Sequence, residues 1–248
     1  MPPHRQRTAA VGETTDGNGG MGRRTVIHNA LIGAALLLGV VGAAQAEDPP
    51  LSQAQIALFE SDHLKGITRP VRLEYAFEHR GGSGGDYVDK VSADIREVHE
   101  DGGKDVAVDF LSGERRMNFP PVTGFHGNPL LMFFLEHDVI EMRQATGGAA
   151  TYFRNRIRRA FVDGAEMHPV EVTVDGGKQS GPEIVITPFR NDAMVERFPG
   201  VADKTYRFIL CDAVPGTIYQ ISTAVGKAAV PGAFEESMTY SGERDEKP

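Results

Sequence analysis

The segment that decides the fold is residues 71–78, Val71-Arg72-Leu73-Glu74-Tyr75-Ala76-Phe77-Glu78. Apolar or aromatic residues stand at 71, 73, 75 and 77, while Arg72, Glu74 and Glu78 stand at alternate positions. Successive side chains of a β-strand point to opposite faces of the sheet. This period of two therefore predicts a strand with one buried face and one face in solvent.

Two more strands are predicted directly after it. Residues 81–85, Gly-Gly-Ser-Gly-Gly, form a flexible turn, and apolar and polar residues then alternate over residues 87–96. A second turn at Asp101-Gly102-Gly103 precedes alternation over residues 106–110. Consecutive strands joined by glycine-rich turns are typical of an antiparallel meander.

A helix is predicted over residues 130–144. Asn128-Pro129 is a cap followed by a proline suited to the first helical position, and Gly147-Gly148 ends the segment. The first two turns are apolar all round, which indicates that this end is enclosed on several sides. A helix inside the concave face of a curved sheet satisfies that requirement.

The remaining pattern completes an α+β fold in one domain, residues 47–226. We predict a curved antiparallel sheet of about eight strands, a half-barrel that encloses the central apolar helix, with a short helix at residues 52–64. The later strands are predicted at residues 150–162, 170–174, 183–189, 206–210 and 217–224. Residues 227–248 are small, polar and charged, and are predicted to be a flexible tail.

The first 46 residues resemble an export signal. Arg23 and Arg24 precede an apolar run at residues 30–41, and Ala44-Gln45-Ala46 supplies a small-x-small cleavage site. The sequence therefore predicts cleavage after Ala46 and a periplasmic location. An uncut N-terminal anchor is the alternative, and both Sec and twin-arginine export stay open.

The charge of the chain bears on its partners. The formal net charge is −8, whereas a general nucleic-acid binder needs a basic footprint, so no nucleic acid is expected. The single cysteine excludes an internal disulfide bond, so stability has to come from packing.

The surplus of apolar side chains on the central helix suggests a ligand-binding surface. If the curved sheet leaves an apolar pocket beside this helix, the helix contacts a hydrophobic or amphiphilic ligand. The alternative is that the helix only fills its own core. The candidate ligand-binding residues are Leu131, Phe133, Phe134 and Leu135, with Phe125 from the preceding loop.

Arginines dominate the predicted strand at residues 150–162. On a strand, Arg154, Arg156 and Arg158 lie on one face, where they repel one another unless anions neutralise their charges. One hypothesis pairs them with carboxylates of neighbouring strands, such as Glu171 or Glu183. The other makes this face a contact for an anion or an acidic partner, since arginine grips carboxylates and phosphates.

No motif predicts a catalytic residue, a metal ligand or a cofactor. Ser83 lies in a G-x-S-x-G match, but a nucleophile elbow needs a helix after it and a strand follows here. Glu136, His137 and Glu141 could at best supply part of a metal site, since only His137 and Glu141 stand four positions apart, and we interpret the three as the solvated side of the central helix. A hydrolase assembled in space from His126, His137 and carboxylates remains an alternative.

The order of elements over about residues 50–225 resembles that of the periplasmic lipoprotein-carrier class. The resemblance implies a curved half-barrel and an exported, non-catalytic carrier or binding protein for a hydrophobic or amphiphilic ligand. The expected partner is a lipid or lipoprotein, and any membrane contact is transient. The alternatives are an envelope assembly factor that docks an acidic partner through the arginine face, and a hydrolase.

Overall fold

The computed structural model describes residues 50–82, 84–226 and 233–245, and ten strands form one open antiparallel sheet in that part of the chain. The strands are β1 Val71–Gly81, β2 Tyr87–Val98, β3 Lys104–Phe110, β4 Met117–Asn118, β5 Val122–Phe125, β6 Glu166–Val174, β7 Gly177–Ile186, β8 Thr205–Leu210, β9 Ile218–Val225 and β10 Phe234–Asp245. Their order is β4-β3-β2-β1-β10-β9-β8-β7-β6, and β5 also pairs with β3.

The predicted α+β class and antiparallel sheet are confirmed. In β1, Val71, Leu73, Tyr75 and Phe77 are buried and the intervening residues are half-buried, as the period of two requires. The buried residues define the inner face of the sheet, against which the helices pack. The sheet has ten strands where about eight were expected: β4, β5 and β10 were not predicted, and one predicted strand, residues 150–162, is a helix.

The strand β10 corrects the prediction of a flexible tail over residues 227–248. Phe234–Asp245 pairs with β1 on one side and with β9 on the other, so it lies in the middle of the sheet. Met238 is fully buried on the inner face, and Glu236, two residues earlier, is equally buried. A buried glutamate interrupts the apolar alternation, and this hides a central strand in a sequence that looks polar throughout.

Two helices connect the edges of the sheet. They are α2, Leu130–Thr146, and α3, Ala150–Asp163. The chain leaves β5 beside β3 and enters β6 at the far edge, so this connection has to cross the sheet. The helix α2 lies on the inner face, where the rings of Phe134 and Phe77 have centroids 6.4 Å apart. This confirms the predicted central helix.

The helix α3 overturns the predicted strand at residues 150–162. Phe153, Ile157 and Phe161 are buried and lie four residues apart, a spacing that fits one face of a helix as well as one face of a strand. Asn155 and Arg159 would share that face on a strand, and both are exposed. A helix keeps these two polar side chains in solvent, which decides between the two structures.

The described chain begins with a shorter helix than residues 52–64. It consists of α1, Gln53–Gln55, and one π-helical turn, Ile56–Glu60. Ser52 caps it as predicted, and its hydroxyl also donates a hydrogen bond of 2.9 Å to the carbonyl of Phe161. Within the described ranges no helix has the length and apolar content needed to cross a membrane. The predicted export signal at residues 1–46 lies outside the described residues.

Candidate functional site

A row of polar side chains crosses the inner face near the C-terminal end of β1. His79 on β1 pairs with Glu236 on β10, Glu236 pairs with Thr223 on β9, and Thr223 pairs with Tyr206 on β8. Glu236, Thr223 and Tyr206 are buried. The rest of the inner face is apolar, so these buried polar side chains are an exception that calls for an explanation.

Three charged side chains of α2 meet this row. His137 Nε2 lies 3.5 Å from Glu236 Oε2 and 3.7 Å from Glu141 Oε1. Asp138 accepts a hydrogen bond from the Tyr206 hydroxyl, and its other oxygen lies 2.5 Å from Lys204 Nζ. Burying an ionised group costs free energy unless an opposite charge lies next to it. Here each buried charge has an oppositely charged neighbour.

Both ring nitrogens of His79 face hydrogen-bond acceptors. Its Nδ1 lies 2.9 Å from Glu236 Oε1 and its Nε2 lies 3.2 Å from the carbonyl oxygen of Gly81. Both partners are acceptors, so both ring nitrogens donate only in the imidazolium. The hydrogen bond to Glu236 raises the pKa of His79 accordingly. The ring is stacked between Tyr87 and Phe234, with centroids at 4.8 Å and 5.9 Å.

The histidines keep Glu236 ionised. Burial acts to raise the pKa of Glu236, but the contacts with His137 and His79 and the charge of Lys204 outweigh it and lower the pKa to about 2. Burial acts to lower the pKa of His137, and Glu236 outweighs that effect, so the pKa is raised. Burial raises the pKa of Glu141. We call His79, His137, Glu141 and Glu236 the buried cluster.

A cavity of about 1280 Å³ opens beside the buried cluster. It lies between the C-terminal half of α2, the end of β1 and the segments 111–117 and 197–204, and His79, His137, Glu141 and Lys204 line it. Arg115, Arg116 and Arg197 supply further positive charge to its wall. Its apolar walls include Leu111, Ile140, Met142, Ala145, Phe198 and Val201. The cavity therefore combines apolar lining residues with charged ones.

The structure places the five predicted ligand-binding residues away from this cavity. Leu131, Phe133 and Phe134 are buried in the main core, and Phe133 stacks on Phe119 with centroids 4.2 Å apart. Leu135 and Phe125 are half-buried, and neither lines the cavity. The first turns of α2 therefore fill the core, and its later turns face the open space.

The three arginines do not form one face, because α3 is a helix and residues two apart on it point in different directions. Arg154 pairs with Glu136 of α2. Arg156 donates to the Pro188 carbonyl and pairs with Asp192 at 2.8 Å, while Arg158 is exposed. The carboxylates expected to answer them are engaged elsewhere: Glu171 pairs with Lys178, and Glu183 pairs with Arg207. The three arginines therefore do not share one face, and their contact with an anion or an acidic partner stays a prediction.

The interpretation of His137 as a solvated residue is also wrong, since only 3% of it is exposed. His126, which the hydrolase alternative placed beside it, faces Asp62 at 3.4 Å and does not line the cavity. One signal in the sequence did point to the site. The alternation of β1, carried one step past Phe77, puts His79 on the buried face.

A second group of histidine and carboxylates lies at the surface. Glu97, His99 and Asp105, which we call the exposed cluster, stand at the turn between β2 and β3. His99 Nε2 lies 2.7 Å from Asp105 Oδ1, and the hydrogen bond raises the pKa of His99.

Comparison with known proteins adds little to this geometry. No protein-family model and no curated protein matches the chain. A crystal structure of a LolA superfamily protein from Nitrosomonas europaea matches at 10% identity and a TM-score of 0.22, over 79% of this chain and 94% of that one. The structure of LprF from Mycobacterium bovis matches at 8% identity and a TM-score of 0.27, over 79% and 95%. The chain has a weak resemblance to these proteins, and the function has to be argued from the cavity and the buried cluster.

Proposed function

We propose that the protein is a non-catalytic binding protein for an amphiphilic molecule, and that the molecule occupies the cavity beside α2. The observation that carries this proposal is the cavity itself, whose volume of about 1280 Å³ exceeds the range of about 300–1,000 Å³ typical of small-molecule pockets. A space of this size beside apolar walls suits a long hydrocarbon chain better than a small polar metabolite.

The apolar lining residues suit a hydrocarbon chain of the ligand, and the charged lining residues suit its head group. Ile140, Met142 and Val201 provide apolar contacts for a hydrocarbon chain. Arg197 lines the cavity and favours an anionic head group, since guanidinium groups bind carboxylates and phosphates, whereas Arg115 and Arg116 on the same lining already pair with Asp89 and Asp109. The proposed ligand is therefore an anionic amphiphile such as a fatty acid or a lipid.

The predicted export signal supports a periplasmic site of action. A protein that encloses a hydrocarbon chain lets it cross an aqueous compartment without exposing apolar surface to water. We therefore place the binding function in the periplasm, with a lipid or lipoprotein as the ligand and only transient contact with a membrane.

The test is displacement of a fluorescent fatty-acid analogue. Ala145 lines the cavity on α2, whereas Met132 is on the same helix, is 43% exposed and does not line the cavity. We expect saturable binding by the wild type and at least about tenfold weaker binding by Ala145→Trp, because the indole fills the space where the chain lies. Met132→Trp is the matched control and keeps the wild-type affinity. Absence of saturable binding by the wild type, or equal affinity in Ala145→Trp, would contradict the proposal.

A further inference from the structure

The buried cluster brings three potential metal ligands together from distant parts of the chain. Each of His137, Glu141 and Glu236 offers one ligand atom, and these three atoms lie within 4.8 Å of one another. Around a zinc ion with bonds of about 2.0–2.1 Å, tetrahedral ligands stand about 3.4 Å apart. The observed separations of 3.5 Å and 3.7 Å from His137 Nε2 to the two carboxylates are close to that value.

Two of these atoms lack the hydrogen bonds that buried polar atoms normally have. His137 Nε2 and Glu236 Oε2 are buried without a hydrogen-bond partner in the described residues, although they face each other. Their side chains are 4% and 0% exposed, respectively. At 3.5 Å the contact is too long for a good hydrogen bond, and it leaves room for an ion between the two atoms.

The neighbours of the ligands hold them in the orientation that binding needs. Met117 Sδ lies 3.1 Å from His137 Nδ1, which leaves the lone pair of Nε2 available when Nδ1 carries the proton. His79 binds Oε1 of Glu236 at 2.9 Å and so directs the other oxygen towards His137. Outer contacts of this kind orient ligands in metal sites generally.

Charge and access are also suitable. A neutral histidine with two carboxylates carries −2, which balances a divalent cation. Lys204 pairs with Asp138 at 2.5 Å, and His79 contacts Oε1 of Glu236, so neither cation occupies Oε2 of Glu236. His137 and Glu141 line the cavity, so an ion can reach these two side chains from it.

We propose that His137, Glu141 and Glu236 bind one divalent transition-metal ion of the zinc class, with an open coordination position towards the cavity. A nitrogen and two carboxylate oxygens with a free fourth position match the ligand sets that zinc takes in proteins. The site depends on atoms of the buried cluster and not on the occupant of the cavity.

The experiment measures zinc bound by the purified protein. Chelator-treated protein is equilibrated with zinc chloride, desalted and analysed for metal, and the affinity is measured by competition with a chromophoric chelator. We expect about one zinc ion per chain, and a visible absorption spectrum of tetrahedral type when cobalt replaces zinc.

Two variants and a matched control locate the site. Glu141→Gln changes a side chain that is 39% exposed, so it leaves the fold intact, and we expect at least about tenfold weaker zinc binding. His137→Gln should have the same effect, and far-UV circular dichroism checks its fold. His99→Gln removes the histidine of the exposed cluster and keeps the wild-type affinity. Zinc below stoichiometric amounts in the wild type, or zinc retained by Glu141→Gln and lost by His99→Gln, overturns the proposal.

The metal measurement is independent of the ligand measurement. Displacement of the fluorescent fatty-acid analogue is run in the presence of a chelator, and zinc binding is run without the analogue. Failure of one experiment therefore leaves the other interpretable.

Discussion

The buried and exposed clusters contain the same kinds of side chain in opposite surroundings. In the exposed cluster His99 lies 2.7 Å from Asp105, and the side chains are 33% and 28% exposed. In the buried cluster His137 lies 3.5 Å from Glu236, and the side chains are 4% and 0% exposed. The pair with the shorter distance is the one in contact with water.

The comparison shows that distance alone does not rank ionic contacts. Water and salt screen the exposed pair, so its contribution to stability is small. The buried pair has lost its hydration, and either member left alone would be an uncompensated charge in the core. Substitutions in the buried cluster should therefore change the stability of the whole fold, whereas substitutions in the exposed cluster should have little effect on it.

Removal of one buried charge should have the largest effect. We expect Glu236→Ala to lower the free energy of unfolding by about 3–5 kcal/mol, because it leaves two histidines buried without their anion. Urea unfolding of chelator-treated protein measures this change. Asp105→Ala is the matched control in the exposed cluster and should leave the unfolding midpoint close to that of the wild type. Equal effects of the two variants would remove the distinction between the clusters.

Replacing the buried histidines and Glu236 together by apolar residues should leave the free energy of unfolding unchanged or raise it. In the triple variant His79→Phe, His137→Leu and Glu236→Leu, Lys204 keeps Asp138, and Glu141, which loses His137, has a side chain that is 39% exposed to water. Apolar replacement of a buried ion group is often neutral or stabilising by about 1–4 kcal/mol. We expect the triple variant to be at least as stable as the wild type in urea. A loss as large as that of Glu236→Ala would show that the cluster stabilises the fold as a unit.

The smallest effect should be the pH response of the exposed cluster. Its hydrogen bond raises the pKa of His99 in the folded state, so the stabilisation is complete below the unfolded pKa of about 6.5 and is lost as pH rises through the folded value. NMR titration should place the pKa of His99 above its ordinary value in the wild type and return it in Asp105→Asn. Asp109→Asn, on the same strand, is the control. An unchanged titration in Asp105→Asn would exclude the hydrogen bond as the cause.

The fold could be predicted where the pattern of side chains allowed one structure only. The alternation in β1 excludes a helix, and the apolar first turns of α2 require enclosure by other elements. The prediction for α3 was wrong because its buried residues are four positions apart, a spacing that fits one face of a helix and one face of a strand. The polar residues Asn155 and Arg159 carried the deciding information, since they would have been buried on a strand.

The candidate site could not be predicted because its residues become neighbours only when the sheet forms. His79 was within reach of the β1 pattern. Glu236 was not, because a glutamate in a polar segment indicates exposure until its partners are known. The four-residue spacing of His137 and Glu141 was visible, but it defines two ligands at most, and the third comes from β10.

The central position of β10 has a consequence for the order of assembly. Strands β1 to β4 form one meander and β6 to β9 form another, and β10 is the strand that joins them in the sheet. Glu236 contacts His79 across 157 residues of sequence, so a contact between distant parts of the chain completes the buried cluster. During synthesis the two meanders cannot be joined through β10 until residues 234–245 have been made. The strand that joins the two meanders also brings Glu236 to His79 and His137, so the buried cluster is complete only when the whole sheet has formed.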